Sequence, residues 1–218
     1  MKKVAFALTF FLALGQLAMA QYDPRAKEVL DRVNQKYSSM KAFKAEFVNK
    51  LQFEFGEEQS QEGIDEEFTG TVYIKDDLFK LEVGTRAIFF DGKLLREYDS
   101  DTQEYTIREP EASDLEEFNI SSVLNLYKEG FKYRIRDEDQ DNSEHSIELV
   151  PIKNDKSYNK IVMKATKGYD IKSFTYFEKD GNLVTILIEK LDEMPNLANS
   201  FFNLYNAQLE VLDSIDLR

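Results

Sequence analysis

The sequence predicts an α+β protein that is mostly antiparallel β: a curved sheet or unclosed β-barrel of about ten to eleven strands. An N-terminal helix and a short mid-chain helical lid are expected to cover it. Two observations support this prediction. Apolar and polar residues alternate along much of the chain, as they do in half-buried strands. Turn sequences such as Asp91-Gly92 and Asp180-Gly181 separate consecutive segments, which makes neighbouring strands antiparallel. A curved sheet with helices at its mouth is suited to be a container.

Composition excludes several classes of function. The chain has 218 residues, with 41 Asp and Glu against 28 Lys and Arg, one His and no Cys. The acidic excess disfavours nucleic acid and anionic membrane surfaces, because both attract clustered cations. Without Cys there are no disulfides, zinc ribbons or thiol nucleophiles, and one His excludes a two-histidine metal site. We therefore expect no enzyme activity, no cofactor or metal and no nucleic-acid partner. We also expect a monomer.

Residues 1–20 have the features of a secretory signal peptide. Two lysines precede an apolar stretch over residues 4–14, and Ala18-Met19-Ala20 is a small-residue cleavage motif. The apolar stretch is about half of the roughly 20 residues that a membrane-spanning helix needs. We therefore expect export, cleavage after Ala20 and a single domain over residues 21–218.

The first elements of the mature chain follow from a change of period. Apolar residues recur at helical spacing over residues 24–40, with Asp23 as a suitable N-cap before a proline. From Phe43 the period becomes two and continues to Phe55, which predicts a long strand with one apolar face. A second strand with the same alternation is predicted over residues 68–75.

The remaining elements are shorter. Residues 113–129 break the strand pattern, since a capping-box spacing and an apolar helical pattern predict two short helical pieces ended by Gly130. A type I′ turn at Asp91-Gly92 is expected to join two strands. Strands are predicted over residues 79–83, 87–90, 93–98, 103–107, 131–135, 146–150, 160–165, 171–178 and 183–191, with a loop and one more strand in 201–215.

Two polar features are candidates for chemistry. Residues 137–148 match a calcium-loop template, with Asp at its first, third and fifth positions and Glu148 at its twelfth. Asn142 replaces the template's glycine and the flanks look like strands, so a solvated acidic hairpin is the favoured alternative. His145 has no nucleophile in a recognisable context and is interpreted as an exposed hairpin residue.

The apolar face of the strands either builds a packed core or lines part of a cavity for an aliphatic ligand. The candidate cavity residues are Phe47, Leu51, Phe53, Phe68, Val72, Ile74, Phe79, Leu81, Phe89 and Leu95. The candidate lid residues, in the mid-chain helical segment, are Val123, Leu124, Leu126 and Tyr127.

Several stretches, in order, resemble the periplasmic outer-membrane lipoprotein carrier family. They are Met40–Phe47, Phe68–Lys75, Ala87–Leu95 with its Asp91-Gly92-Lys93 and the following Tyr98-Asp99, Ser122–Leu126 and Glu148–Pro151. The resemblance implies a periplasmic carrier whose unclosed, helix-capped barrel holds the acyl chains of lipoproteins and performs no covalent chemistry. It also implies loading by an inner-membrane ATP-driven release complex and delivery to an outer-membrane acceptor, whose identity the sequence does not give.

The chain departs from the family pattern at two positions. Where the family has an Arg-Pro pair that is thought to help hold the lid shut, this chain has Lys75-Asp76-Asp77-Leu78-Phe79. Arg96 stands where the family has a tryptophan. An exported β-rich module that binds another lipid or a glycan is therefore the alternative interpretation.

Overall fold

A computed structural model describes residues 22–53, 66–111, 125, 127–128, 130–137, 143–206 and 213–218. The elements that are described in full are one α-helix, twelve strands and two short 3-10 turns. The elements are α1 (Pro24–Ser38), β1 (Phe43–Gln52), β2 (Glu66–Lys75), β3 (Leu78–Val83), β4 (Arg86–Phe90), β5 (Leu95–Asp99), β6 (Glu104–Arg108), β7 (Phe131–Ile135), β8 (Glu144–Pro151), β9 (Tyr158–Thr166), β10 (Ile171–Glu178), β11 (Leu183–Glu193) and β12 (Asp213–Asp216), with the 3-10 turns at Asn199–Phe202 and Leu204–Asn206.

All twelve strands belong to one curved, unclosed sheet, as the sequence predicts. Its order is β12-β6-β5-β4-β3-β2-β1-β11-β10-β9-β8-β7. The first strand thus lies between two meanders, pairing with β2 on one side and with β11 on the other. Every pairing is antiparallel except that of β12 with β6. The sheet has one or two strands more than the ten to eleven expected, and the predicted C-terminal strand forms one of its edges.

The helix covers only part of the sheet. Asp23 caps α1 by accepting a hydrogen bond from the backbone N–H of Arg25 at 2.9 Å. The apolar side of the helix buries Ala26, Val29, Leu30, Val33 and Tyr37. The Tyr37 hydroxyl accepts the backbone N–H of Ile171 on β10 at 2.9 Å, and burial raises the pKa of this phenol. The helix therefore fills the end of the sheet made of β7–β10.

Alternation places the core on the face that carries the helix, which we call the inner face. It includes Ala45, Val72, Phe79, Ile147 and Met163, all buried in one cluster with the α1 residues. A smaller cluster lies on the opposite, outer face. It contains Phe89, Tyr98 and Leu204, and the segment with the two 3-10 turns covers it.

Two local predictions need correction. The chain between β4 and β5 is a four-residue loop over residues 91–94, and it is not a two-residue type I′ turn. Asp91 closes this loop by accepting the backbone N–H groups of Lys93 at 3.1 Å and Leu94 at 2.9 Å, and Gly92 supplies the positive φ of 90°. In addition, β1 ends at Gln52, so Phe53 lies beyond the strand.

Most of the predicted mid-chain helical region, residues 113–129, lies outside the described residues. Of the part that is described, Asn125 is helical and Tyr127 and Lys128 form a turn.

Candidate functional site

An apolar cavity of about 310 Å³ opens on the inner face, over the part of the sheet that α1 leaves free. We call it the groove. Five strands, β1 to β4 and β11, supply its wall. Eight of its ten lining residues are apolar and two are polar: Phe47, Asn49, Phe68, Val72, Leu81, Val83, Arg86, Ile88, Ile186 and Ile188.

The strand register aligns these side chains. Val72, Leu81 and Ile88 are direct partners across β2, β3 and β4, so they form one row on the same face. On the other side, Phe47 pairs with Ile188 of β11. A bulge between Glu46 and Phe47 shifts this register by one residue, which places Ile188 towards the groove as well.

The floor of the groove depends on Gly70. This glycine is the direct partner of Phe47, and the phenyl ring occupies the place where a side chain at position 70 would begin. A Cβ at position 70 would stand 2.3 Å from Phe47 Cζ and 2.9 Å from the backbone oxygen of Glu82. Because no side chain is present there, the ring lies down on the sheet and the space above it stays open.

The groove exposes apolar surface. Val72 and Phe47 are buried, whereas Leu81, Val83, Ile88, Ile186 and Ile188 are half-buried and Phe68 is 36% exposed. A contiguous apolar surface rimmed by polar residues marks a binding site more often than an isolated exposed side chain does. The arrangement suits an aliphatic ligand.

The two polar residues lie on opposite sides of the groove. Asn49 is on β1, with its Oδ1 buried, and Arg86 begins β4 at the open end with 76% of its side chain exposed. The Arg86 guanidinium lies 3.6 Å from the carboxylate of Asp99. A backbone N–H from Asp101, assisted by Arg86, holds the pKa of Asp99 below its ordinary value. Arg86 thus places a positive charge at the mouth.

Nine of the ten predicted cavity residues divide into three groups. Phe47, Phe68, Val72 and Leu81 line the groove. Ile74, Phe79 and Leu95 are at most 2% exposed within the main core and do not line it. Leu51 and Phe53 lie further along the chain from Asn49, half-buried and outside the groove wall.

The placement of Phe89 in the cavity is wrong. Ile88 pairs with Leu81 and faces inwards, so the next residue of β4 must face outwards. Phe89 lies in the outer cluster with Tyr98 and Leu204 and is 1% exposed.

Sequence reasoning missed six of the groove residues: Asn49, Val83, Arg86, Ile88, Ile186 and Ile188. One of them carried a visible signal, since Asn49 is a polar residue on the apolar side of an otherwise clear alternation. The others lie in apolar runs or next to turns, where period alone does not select a face.

The predicted lid is only partly described. Val123, Leu124 and Leu126 lie outside the described residues. Tyr127 is 4% exposed and donates its hydroxyl to Asp31 of α1 at 2.7 Å, so it is fixed to the helix and does not line the groove. Burial, together with the Asp31 carboxylate, raises the pKa of Tyr127.

The ends of the calcium-loop template carry other contacts. Asp137 accepts hydrogen bonds from Arg25 at 3.1 and 3.2 Å, and Glu148 accepts from Arg134 at 2.8 Å and Lys160 at 3.2 Å. Burial raises the pKa of Glu148, but these two cations outweigh it and the net pKa is lowered. Among the described residues, no three His, Cys, Asp or Glu side chains cluster as metal ligands; residues 138–142 are outside them.

His145 is half-buried, so its interpretation as an exposed hairpin residue is corrected. Its ring stacks on Tyr169 with 6.0 Å between the ring centroids, and its Nδ1 is 3.4 Å from Lys167 Nζ. Burial lowers the pKa of His145, and the neighbouring Lys167 lowers it further. The imidazole is therefore in contact with a phenol ring and close to an ammonium group.

The fold and the groove define a binding or carrier protein. Within the described part of the chain, no helix has both the length and the apolar character that a membrane crossing requires. The family model described as "Outer membrane lipoprotein carrier protein LolA" matches residues 38–205. This match covers well over half of the sequence, and the chain therefore belongs to the LolA family.

Three solved structures illustrate the likeness. An uncharacterized conserved protein from Thermus thermophilus is 14% identical, with 87% of this chain and 99% of that chain covered and a TM-score of 0.51. A LolA superfamily protein from Nitrosomonas europaea is 9% identical over 82% and 97% of the chains, with a TM-score of 0.45. A chain of the Pseudomonas aeruginosa MucA/MucB complex is 10% identical, with 85% of this chain and 63% of that chain covered and a TM-score of 0.38. No curated protein matched the sequence.

Proposed function

We propose that the protein is a periplasmic carrier that holds the acyl chain of a lipoprotein, or of another lipid, in the groove. Residues 1–20 would direct export, and residues 21–218 would work as a single monomeric domain. Cargo would come from an inner-membrane ATP-driven release complex and leave for an outer-membrane acceptor. The observation that carries the proposal is the groove itself: eight apolar side chains on five strands that face a shared open space.

The size of the groove fits this role. A methylene takes up about as much space as a water molecule, roughly 30 Å³, so 310 Å³ holds on the order of ten methylenes of one chain. Burying each methylene contributes about 0.8 kcal/mol to the binding free energy. Ten methylenes of one acyl chain therefore contribute roughly 8 kcal/mol before the costs of association are subtracted. A bilayer offers the acyl chain a similar apolar environment. The acyl chain can therefore move from the groove into a membrane without a large cost in free energy.

The groove wall favours an acyl chain over a glycan. Five of its residues are Val, Leu or Ile with half-buried side chains, and they form a continuous aliphatic surface. Glycan sites need many hydrogen-bonding groups, because each buried hydroxyl has to be satisfied. Among the described residues, Asn49 and Arg86 are the only polar ones in this wall.

The proposal is tested by lipoprotein release. Spheroplasts that carry a radiolabelled acylated lipoprotein in their inner membrane are incubated with the purified mature chain, and the lipoprotein in the supernatant is measured. Ile186→Lys puts a charge into the groove and is expected to abolish release. Thr185→Lys, the adjacent residue on the outer face, is the matched control and should release normally. Equal release by both variants, or none by the native chain, would contradict the carrier role.

A further inference from the structure

Asn49 is a polar residue in an apolar surrounding. It lies in the middle of β1 on the inner face, between Phe47 and Leu51 of the same strand. Its direct partners on the two neighbouring strands are Phe68 of β2 and Ile186 of β11. All four neighbours on its face are therefore hydrophobic.

The amide oxygen of Asn49 lacks a partner. Its Oδ1 is buried and accepts no hydrogen bond from any of the described residues. A buried acceptor without a donor destabilises the folded protein, and for this reason nearly all such groups are satisfied. Asn49 is part of the groove wall, so a molecule in the groove lies beside this side chain.

The chemistry of the missing partner follows from the atom. A carbonyl oxygen accepts, so the ligand must bring an N–H or O–H group. An amide-linked acyl chain has such a donor directly beside its hydrocarbon part, and so does a chain that carries a hydroxyl. An ester has only acceptors and leaves Oδ1 unsatisfied.

We propose that Asn49 determines specificity, selecting an acyl chain with a hydrogen-bond donor, an amide N–H or a hydroxyl, at its polar end. The inference rests on the proposed function, because it assumes that an acyl chain occupies the groove. It adds that the groove discriminates between acyl chains that carry a hydrogen-bond donor at the polar end and acyl chains that do not. The aliphatic wall supplies affinity for any chain of suitable length, and Asn49 supplies the preference.

The experiment compares three ligands with the same twelve-carbon chain: N-methyldodecanamide, 1-dodecanol and methyl dodecanoate. Each is titrated against the mature chain by displacement of a fluorescent fatty-acid probe. The native protein should bind the amide and the alcohol roughly tenfold more tightly than the ester, the ratio expected for one buried hydrogen bond. A preference for only one of the two donors would identify the linkage that the site accepts.

The decisive variant is Asn49→Leu, which keeps the shape of the side chain and removes its polar atoms. It should bind the ester at least as well as the native protein does and lose the preference for donors. Asn159→Leu, at an exposed position of β9, is the matched control and should keep the preference. Circular dichroism checks that both variants are folded, and Asn49→Ala replaces Asn49→Leu if the leucine is not tolerated.

The outcomes separate the two proposals. Binding of all three ligands with less than a twofold difference would overturn the role of Asn49 and leave the carrier function standing. The role would be overturned equally if Asn49→Leu kept the preference. Failure of every ligand to displace the probe would overturn the proposed function, and the inference with it.

Discussion

Replacing Gly70 with alanine tests the geometry on which the groove depends. The added Cβ would lie 2.3 Å and 2.8 Å from two carbons of the Phe47 ring and 2.9 Å from the backbone oxygen of Glu82. Carbon atoms in contact are separated by about 3.5–4.0 Å, so the ring has to move by roughly 1 Å or more. The sheet closes the opposite side, and the ring can therefore move only into the groove.

The expected cost follows from these contacts. Forcing a methyl group into a packed site costs about 1–3 kcal/mol. Replacing a glycine also reduces the backbone freedom of the unfolded chain, which raises the free energy of unfolding by about 0.4–1 kcal/mol. Gly70→Ala should therefore lower the free energy of unfolding by about 1–2 kcal/mol and also weaken ligand binding, because Phe47 then occupies part of the groove.

Urea denaturation of a double-mutant cycle measures this cost. Phe47→Ala removes the ring and, at a cavity wall, should cost less than the roughly 3–5 kcal/mol of a buried phenylalanine. In that background Gly70→Ala should cost at least about 0.5 kcal/mol less than it does in the native protein. A cost that is the same in both backgrounds, or a neutral Gly70→Ala, would refute the proposed contact between ring and glycine.

Three further predictions concern charge. Glu148→Gln should lower the free energy of unfolding by about 1–3 kcal/mol at pH 7, because it weakens the partly buried bonds from this carboxylate to two cations. Since the fold lowers the pKa of Glu148, this stabilisation is complete above the ordinary pKa of 4.5 and is lost as the pH falls through the pKa of the folded state. Urea titrations should therefore show a smaller difference in free energy of unfolding between the native protein and Glu148→Gln at pH 3 than at pH 7. An equal difference at both pH values would count against this prediction. Arg86→Glu should weaken binding of dodecyl phosphate roughly two- to tenfold at low salt and leave 1-dodecanol unchanged; equal effects on both would contradict a charge effect at the mouth. Isothermal titration in ~0.15 M salt should show no micromolar calcium site over residues 137–148, and such a site lost on Asp139→Ala would contradict this.

The alternation in the sequence was sufficient to predict the strands that end at clear turns. In β2, Phe68, Val72 and Ile74 share one parity, and the structure places them on one face as predicted. The class of fold followed from many such segments. The position of β1 between β2 and β11 could not be predicted, because this pairing joins residues about 140 positions apart and no local pattern encodes it.

The side chains of the groove were harder to predict than the fold. Ala87-Ile88-Phe89-Phe90 is a continuous apolar run, so its period does not distinguish Ile88 from Phe89. The outer face of β4 is apolar because the C-terminal 3-10 segment covers it, and that contact is a tertiary one. Similarly, the bulge opposite Phe47 decides which residues of β11 face the groove.

The most direct test of the account is to determine what the groove holds when the protein is purified from the periplasm. Lipids are extracted from the native chain, from Val83→Trp, which fills the groove, and from Glu82→Trp, which adds the same side chain on the outer face of the same strand. Mass spectrometry should find about one acyl chain per molecule in the native chain and in Glu82→Trp, and far less in Val83→Trp. Equal acyl content in all three proteins, or none in the native one, would contradict an acyl-binding groove.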